Sequence, residues 1–251
     1  MRFASLGSGS QGNATLIDRD GFYILIDCGF SGPEIERRMA PLGVSPSDLA
    51  AVLITHEHSD HMRGVAGLQR RLGLPVYATA GTARSIRNPR GVEVVDSHRD
   101  FEVGPLRVRP VPVPHDAAEP VQYIVSDGAL RLGVLTDLGA ITPHVQEQYR
   151  NCDALLVEAN HDLDMLHNGP YPPSLKRRVA SGWGHLNNGQ TAEFLQGVER
   201  SRLRQLLIGH ISLKNNLTQL VRDTVADAVA PVANVHYASQ EESTGWLHLD
   251  C

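Results

Sequence analysis

Residues 55–61, Thr-His-Glu-His-Ser-Asp-His, form the densest group of chemically competent side chains in the sequence. His56, His58, Asp60 and His61 lie within six residues and follow an apolar, strand-like run. Two imidazoles spaced two apart at a strand end project to the same side, and the following turn can direct Asp60 and His61 to a second position. Imidazole and carboxylate ligands without a thiolate suit Zn, Mn, Fe or Ni. The segment therefore predicts two metal ions held side by side.

Three more candidate ligands follow apolar stretches later in the chain: His115, Asp137 and His210. The motif His-x-His-x-Asp-His, followed in order by a His, an Asp and a His, resembles the signature of the metallo-β-lactamase fold. This resemblance implies two groups of ligands with an aspartate between them. One metal would be held by His56, His58 and His115, and the other by Asp60, His61 and His210, with Asp137 between the two.

Longer motifs resemble one branch of this fold, the YycJ/WalJ group of small bacterial proteins. The resemblance extends over nearly the whole chain, and its motifs are residues 5–13, 55–61, 158–162, 168–172, 184–188 and 209–216. Members of this group are described as exonucleases that act on DNA in the 5′ to 3′ direction. The resemblance therefore implies a hydrolase with DNA as its partner and two divalent ions, Mn²⁺ or Zn²⁺, as its cofactors.

The expected chemistry follows from these groups. Two metals about 3.5–4 Å apart can clamp the attacking and leaving oxygens of a phosphodiester, and a water that they bind has its pKa lowered toward ~7. We predict Asp60 and His185 as the catalytic residues. The resemblance implies His185 as the acid for the leaving oxygen, because related phosphodiesterases carry a His in a Gly-His segment before the last ligand, and the unperturbed pKa of a histidine suits that task. A turn residue bonded to backbone is the alternative for His185. Asp27 is expected to orient a ligand imidazole, and Glu158 either to orient His185 or to be a solvated strand-end residue.

Six polar residues are candidate contacts to the substrate: Ser8, Ser10, Asn13, His161, Lys176 and Lys214. The first three belong to a Gly- and Ser-rich segment that either presents N–H groups and hydroxyls to a phosphate or forms only a flexible turn. His161 either lines the site or accompanies a helix cap. The two lysines are interpreted as phosphate contacts or as solvated surface residues. Trp183 and Tyr171 either stack on bases or fill the core.

Alternating helix and strand patterns have to position these residues. They suit two β-sheets packed face to face and covered by helices, an architecture of the α/β (or α+β) class. This is the αββα sandwich that the resemblance to the metallo-β-lactamase fold implies. Residues 101–113 are predicted as one strand and residues 82–87 as a short helix. No linker or internal repeat is evident, so one domain over residues 1–251 is predicted.

Composition narrows the class of protein. A chain of 251 residues can bury one large core. The net charge of −5 argues against a nonspecific nucleic-acid coat protein but not against a nuclease. No apolar run approaches the ~20 residues of a membrane span, and the first residues lack the apolar run of a signal peptide. Cys28, Cys152 and Cys251 are odd in number and far apart, so we expect a reduced, cytoplasmic protein without membrane contact.

Three functions are compatible with the sequence. The favoured one is a dinuclear metallonuclease acting on DNA. The second is a small-molecule hydrolase of the same fold, acting on a cyclic or simple phosphodiester, a thioester or a lactone, which requires a closed pocket. The third is a noncatalytic metal-bearing regulatory protein, which is disfavoured because every expected ligand is present. The choice between Mn²⁺ and Zn²⁺, between DNA and RNA, and the oligomeric state stay open at this point.

Overall fold

Two β-sheets form the frame of the molecule, which a computed structural model describes for residues 1–87 and 90–249; Cys251 lies outside the described residues. The strands of the first sheet are β1 (Arg2–Gly7), β2 (Ala14–Arg19), β3 (Phe22–Ile26), β4 (Leu49–Leu53), β5 (Val76–Thr79), β6 (Val92–Val95) and β14 (Leu247–His248). The strands of the second are β7 (Phe101–Val103), β8 (Leu106–Pro112), β9 (Val121–Ser126), β10 (Arg131–Leu135), β11 (Ala154–Glu158), β12 (Gln205–Gly209) and β13 (Asn234–Tyr237).

Each sheet combines an antiparallel and a parallel half. The spatial orders are β14–β1–β2–β3–β4–β5–β6 and β13–β12–β11–β10–β9–β8–β7. Strands β3 to β6 pair in parallel, as do β10 to β13. Parallel neighbours end at the same edge of a sheet, so polar residues that follow these strands are brought together. That edge is where the sequence places its candidate ligands.

Helices cover the outer faces of both sheets. They are α1 (Gly32–Met39), α2 (Ser59–Met62), α3 (Val65–Leu72), α4 (Ala80–Ala83), α5 (Pro143–Tyr149), α6 (Leu163–Asn168), α7 (Pro173–Val179), α8 (Asn188–Gln196) and α9 (Thr218–Val229). Apolar residues of α1 and α3 pack on the first sheet, and those of α5, α8 and α9 pack on the second. None of the described helices is long and apolar enough to cross a membrane.

The core between the sheets takes side chains from both of them. Phe3 and Ile24 of the first sheet are fully buried against Val108, Tyr123 and Leu156 of the second. The Tyr123 hydroxyl donates a hydrogen bond of 3.0 Å to the carbonyl oxygen of residue 54, which ties the second sheet to the end of β4. The predicted αββα layering is thus confirmed, and Cys28 and Cys152 are buried free thiols within it.

Two predicted elements are wrong in their bounds. The single strand expected over residues 101–113 is a hairpin of β7 and β8, in which Phe101 pairs with Val108. The turn contains Gly104, whose φ of 55° lies in the left-handed region that favours glycine. The short helix expected at residues 82–87 starts two residues earlier, because the Thr79 side chain accepts the N–H of Thr82 and caps it.

Candidate metal centre and active site

The candidate ligands follow the carboxyl ends of strands from both sheets. The loop after β4 leads into His56 and His58, and α2 carries Asp60 and His61. His115 follows β8, whereas Asp137, Glu158 and His210 stand at or just beyond the ends of β10, β11 and β12. The register of the last three strands pairs Leu135 with Val157 and Glu158 with Gly209, so their ends align.

Three imidazoles form the first cluster. The donor atoms of His56, His58 and His115 all lie within 4.8 Å of one another. His56 Nε2 is 3.1 Å and His115 Nε2 is 3.3 Å from His58 Nδ1. Burial lowers the pKa of His56 and of His115, so both rings are neutral and offer lone pairs. The structure brings together the three histidines that the sequence assigns to one metal, and their chemistry suits a divalent cation.

Asp137 is the centre of the second cluster. Its Oδ2 lies 3.3 Å from His61 Nε2, and its Oδ1 lies 3.4 Å from His210 Nδ1. Asp60 also belongs to this second cluster, because its Oδ2 lies 3.5 Å from His61 Nε2. The donor atoms of His56, His61 and Asp137 also lie within 4.8 Å of one another. Because His56 belongs to the first cluster, Asp137 lies close to both clusters.

Buried polar atoms without partners test whether a cation fits this centre. Asp137 Oδ2 and His210 Nε2 are buried, and no described residue forms a hydrogen bond with either atom. Such atoms are rare in native proteins and point to a missing ion or water. An anionic oxygen and an imidazole nitrogen are suitable ligands for a divalent metal. The residues present therefore fit divalent metal binding.

Asp27 positions His61, as the sequence predicts. Its carboxylate accepts a hydrogen bond of 2.8 Å from His61 Nδ1 and one of 2.9 Å from the Thr55 N–H, and the Thr55 hydroxyl also donates to it. Burial raises the pKa of Asp27. Burial alone would lower the pKa of His61, but the charges of Asp137 and Asp27 hold it well above its ordinary value. The bond from Nδ1 leaves Nε2 of His61 facing the cluster.

Glu158 is the corresponding support on the second sheet. Its fully buried carboxylate accepts the backbone N–H groups of Asp137, Leu138 and Leu186. It also accepts bonds of 3.1 Å from His185 Nδ1 and 3.2 Å from His210 Nδ1. Although burial acts against ionisation, the positive charge of His185 lowers the pKa of Glu158 to about 2. The structure thus places Glu158 where it orients His185, not at a solvated strand end.

His185 combines this support with access to the cavity. Burial would lower its pKa, but the charge of Glu158 and their hydrogen bond raise it to about 9. Since Nδ1 is bonded to Glu158, Nε2 is the atom left for a ligand. Burial alone would raise the pKa of Asp60, but the hydrogen bond and charge of His61 hold it below its ordinary value. The site therefore places a protonated imidazole and an ionised carboxylate on one wall.

Three of these residues have a strained backbone. Asp27, Asp137 and His210 have φ values of 60°, 55° and 50°. A non-glycine residue in the left-handed region costs about 1–3 kcal/mol and persists only where its surroundings hold it. The contacts above, together with the 2.9 Å bond from the His210 N–H to Ser8 Oγ, provide that constraint. The conformation directs each side chain into the centre.

The Gly- and Ser-rich segment lies against the metal centre. Ser8 and Asn13 are buried, and the Asn13 amide nitrogen lies 3.1 Å from His61 Nε2. Ser10 lines the cavity. Gln240, which sequence reasoning missed, accepts the Gln11 N–H and donates to the carbonyl oxygen of residue 12. Of the three predicted substrate contacts in this segment, the structure thus brings Ser10 to the cavity wall and places the other two beneath the ligands.

An open cavity of about 350 Å³ lies over the ligands. Its walls include Ser10, His58, Asp60, Asp116, Asp137, Asn160, Tyr171, Arg178, His185, His210 and Ser212. Besides Ser8 and Asn13, two more predicted substrate contacts do not reach it: Lys176 Nζ donates to the carbonyl oxygen of residue 167, and His161 is buried with neither ring nitrogen bonded to a described residue. Lys214 lies at the rim, with Nζ 5.8 Å from the centre of the Tyr171 ring.

Two lining residues, Asp116 and Arg178, were not among the predicted site residues. Arg178 Nε donates to Asp116 Oδ2, which joins α7 to the loop after β8. A partial signal for both was present in the sequence, because Asp116 directly follows a candidate ligand and Arg178 belongs to the basic triplet at residues 176–178. Trp183, just before the lining residue Gly184, has an exposed side chain and does not fill the core.

Comparison with known proteins places the chain in a family. A family described as "Beta-lactamase superfamily domain" matches residues 23–211. The chain is 34% identical to exodeoxyribonuclease WalJ of Streptococcus pneumoniae over 92% of this chain and 88% of that protein. It is 33% identical to exodeoxyribonuclease YycJ of Bacillus anthracis over 91% of this chain and 89% of that protein.

Solved structures agree on the fold. The metallo-β-lactamase fold protein YhfI from Bacillus subtilis superposes with a TM-score of 0.73 at 16% identity, over 97% of this chain and 98% of that one. At this identity the likeness shows the fold alone. Together with the geometry of the ligands, these similarities show that the chain belongs to the β-lactamase superfamily, with the metallo-β-lactamase fold, and is a relative of the WalJ and YycJ exodeoxyribonucleases.

Proposed function

We propose that this protein is an exodeoxyribonuclease that uses two divalent metal ions, Mn²⁺ or Zn²⁺, and degrades DNA in the 5′ to 3′ direction. The observation that carries the proposal is the arrangement of two donor clusters beside a cavity that His185 also lines; one is His56, His58 and His115, the other surrounds Asp137, and His56 lies close to both. His56, His58 and His115 would hold one ion. The other would be held by Asp60, His61 and His210, with Asp137 shared between the two ions. When bound, such a pair supplies a water of lowered pKa and positive charge for the phosphate oxygens.

The side chains of the protein supply the remaining steps. Asp60 lines the cavity as an anion, so it can accept a hydrogen bond from the attacking water and orient it. Asn160 lines the same wall and donates from its amide nitrogen to the carbonyl oxygen of His210, which fixes that segment. Glu158 and Asp27 hold His185, His210 and His61 at their Nδ1 atoms. The rings are therefore oriented before the substrate arrives.

His185 would protonate the leaving oxygen. Its Nδ1 is held by Glu158, and the raised pKa of about 9 keeps the ring protonated at neutral pH. The proton on Nε2 is then available for the alkoxide that leaves when the phosphodiester bond breaks. As the proton leaves, the ring becomes neutral and the Glu158 carboxylate keeps its position. Asp60 and His185 thus take the opposite roles of water-orienting base and leaving-group acid.

A nucleic-acid substrate is supported by the rim of the cavity and by the relatives. Tyr171 and the exposed Trp183 offer aromatic faces near the ligands, and Lys214 lies beside the Tyr171 ring. Aromatic faces combined with basic groups are typical of proteins that bind single strands. The relatives WalJ and YycJ are exodeoxyribonucleases.

We further propose that residues 1–251 act as one domain in the cytoplasm.

The test uses DNA and RNA strands that carry a label at the 5′ or the 3′ end, with Mn²⁺ or Zn²⁺ added. Stepwise loss of nucleotides from the 5′ end of DNA is expected, and none with the double variant Asp60→Ala, His61→Ala. Cleavage of RNA alone, or loss from the 3′ end, would contradict the proposal. Turnover of a small phosphodiester, thioester or lactone without cleavage of any strand would support the small-molecule hydrolase instead.

A further inference from the structure

Arg178 differs from the other basic residues near the site. Among the described residues that line the cavity, it is the one arginine or lysine. Lys176, two positions earlier on α7, points to the carbonyl oxygen of residue 167 and away from the cavity. The Arg178 side chain is 56% exposed and uses Nε to bind Asp116 Oδ2. Its guanidinium is therefore the fixed positive charge that an anionic substrate meets beside the metal ligands.

Asp116 extends from Arg178 to the first cluster. Its Oδ1 lies 3.5 Å from His115 Nε2 and 3.9 Å from His58 Nε2, whereas Oδ2 accepts from Arg178. One oxygen of this carboxylate thus faces the histidines, and the other faces the guanidinium. A phosphate also carries several anionic oxygens on one central atom. A phosphate seated over the first cluster would place its oxygens in the same two environments.

Backbone hydrogen bonds also hold together the two segments that carry Asp116 and Arg178. The Asp116 N–H already donates to the carbonyl oxygen of Trp183 at 3.1 Å, and the His185 N–H donates to that of Val179 at 3.0 Å. These backbone bonds connect the loop after β8 and the end of α7 to the same turn. An ion pair that is half-exposed contributes little to stability and is easily exchanged for another anion.

We propose that Arg178 is a specificity-determining residue that binds a substrate phosphate, and that Asp116 is the internal anion which this phosphate displaces. The inference rests on the proposed function, because it names how that site recognises its substrate. A guanidinium binds two phosphate oxygens at once through its planar fork, which a lysine cannot do. In the free protein Asp116 holds the guanidinium beside the ligands, and in the complex the phosphate takes the place of the carboxylate.

The test measures binding of a cleavage-resistant, phosphorothioate-linked single strand to the metal-loaded protein by fluorescence anisotropy, at several salt concentrations. Arg178→Ala is expected to raise Kd about tenfold and to reduce the slope of log affinity against log salt by about 0.7, the value for one lost phosphate contact. Arg178→Lys should recover only part of the affinity. Arg177→Ala, on an exposed neighbour outside the cavity, is the matched control and should have the smaller effect.

Asp116→Asn separates competition from positioning. The amide oxygen still accepts from Arg178, but the competing charge is gone, so the strand should bind about two- to fivefold more tightly. The metal content and thermal stability of each variant are measured alongside. Strands with a 5′-phosphate and with a 5′-hydroxyl form the two arms. If Arg178→Ala weakens binding of the 5′-phosphate strand only, Arg178 binds the terminal phosphate. If it weakens binding of both strands equally, Arg178 binds an internal phosphate.

Two results would overturn the inference while leaving the proposed function intact. One is an equal loss of affinity in Arg178→Ala and Arg177→Ala. The other is weaker binding by Asp116→Asn, of the same size as for Arg178→Ala, in a variant with unchanged metal content. Failure of the unmodified protein to bind any strand would overturn the proposed function, and this inference with it.

Discussion

Asp27→Asn is the sharpest test of how the metal centre is preorganised. Asp27 is buried and is not among the described residues that line the cavity over the candidate ligands, yet its carboxylate accepts from His61 Nδ1 at 2.8 Å and from the Thr55 N–H at 2.9 Å. Asparagine has the same shape but only one acceptor oxygen. If that oxygen keeps the Thr55 bond, the new NH₂ group faces His61 Nδ1. Nδ1 must then give up its proton and become an acceptor.

The size of the effect follows from the tautomer of His61. A proton that leaves Nδ1 moves to Nε2, the atom that faces Asp137 and Asp60, and a protonated nitrogen cannot bind a metal. These tautomers are those of the neutral ring, which is the form that binds a metal. If neutral His61 instead keeps its proton on Nδ1, one charge-assisted bond worth about 1.5–3 kcal/mol is lost. Either route weakens metal binding by about 10- to 100-fold, the range found when residues that support a ligand are changed.

The assay is competition for Zn²⁺ or Mn²⁺ with a chromophoric chelator, combined with urea unfolding. Asp153→Asn is the matched control, because Asp153 is also buried and accepts a backbone N–H, that of Arg131, at 2.8 Å, but contributes to neither donor cluster. It should lower stability and leave metal affinity unchanged. If Asp27→Asn binds metal as tightly as the unmodified protein, the reasoning about the His61 tautomer is refuted.

Three other predictions concern the surroundings of the centre. Burial lowers the pKa of His161 from 6.5 to about 4. Between these pH values the unfolded chain binds a proton that the folded protein does not, so stability falls as the pH decreases. We expect His161 to contribute about 3 kcal/mol to the loss of stability across this window in urea titrations. His161→Phe should therefore reduce the pH dependence by that amount, and a variant with an unchanged pH profile would contradict the prediction. Gly29→Ala would drive Cβ into the Asp60 carbonyl oxygen and should cost at least about 2 kcal/mol in calorimetry, whereas Gly32→Ala, into open space, should be neutral or stabilising. Gln240→Ala removes two bonds to residues 11 and 12 and should speed amide exchange in residues 8–13 by about tenfold or more; equal exchange in both proteins would refute this support role.

The grouping of the candidate ligands could be predicted because metal binding restricts both residue type and position. His56, His58 and Asp60 lie in one short motif, and His115, Asp137 and His210 each follow an apolar strand. The parallel ends of β10, β11 and β12 bring the later residues together, as strand pairing requires. The layering of the fold followed from the same alternation of strands and helices.

Side-chain direction on α7 was harder to predict. Lys176 and Arg178 are two residues apart, so on a helix of 3.6 residues per turn they point about 200° apart. The basic triplet showed that positive charge was present, but only the orientation of α7 decides that Arg178 faces the cavity. Lys176, which the sequence offered as a phosphate contact, therefore points away from the cavity, and Arg178 lines it.

Long-range support was invisible in the sequence. Gln240 is 229 residues from Gln11, and no local pattern marks a glutamine that fixes a distant loop. The bond that the His210 N–H donates to Ser8 Oγ spans 202 residues in the same way. Such contacts depend on how β1 and β12 pack in three dimensions. Sequence patterns indicate periodicity and local turns, so they do not reveal contacts between residues that lie far apart in the chain.

The number of divalent ions per chain at full activity tests the central claim most directly. Metal-free protein is titrated with Mn²⁺ or Zn²⁺ while bound metal and the release of nucleotides from a labelled DNA strand are measured together. The two donor clusters, one of three histidines and one around Asp137, predict that activity rises until two ions are bound per chain and then stays constant. Full activity at one bound ion, or none, would contradict the account.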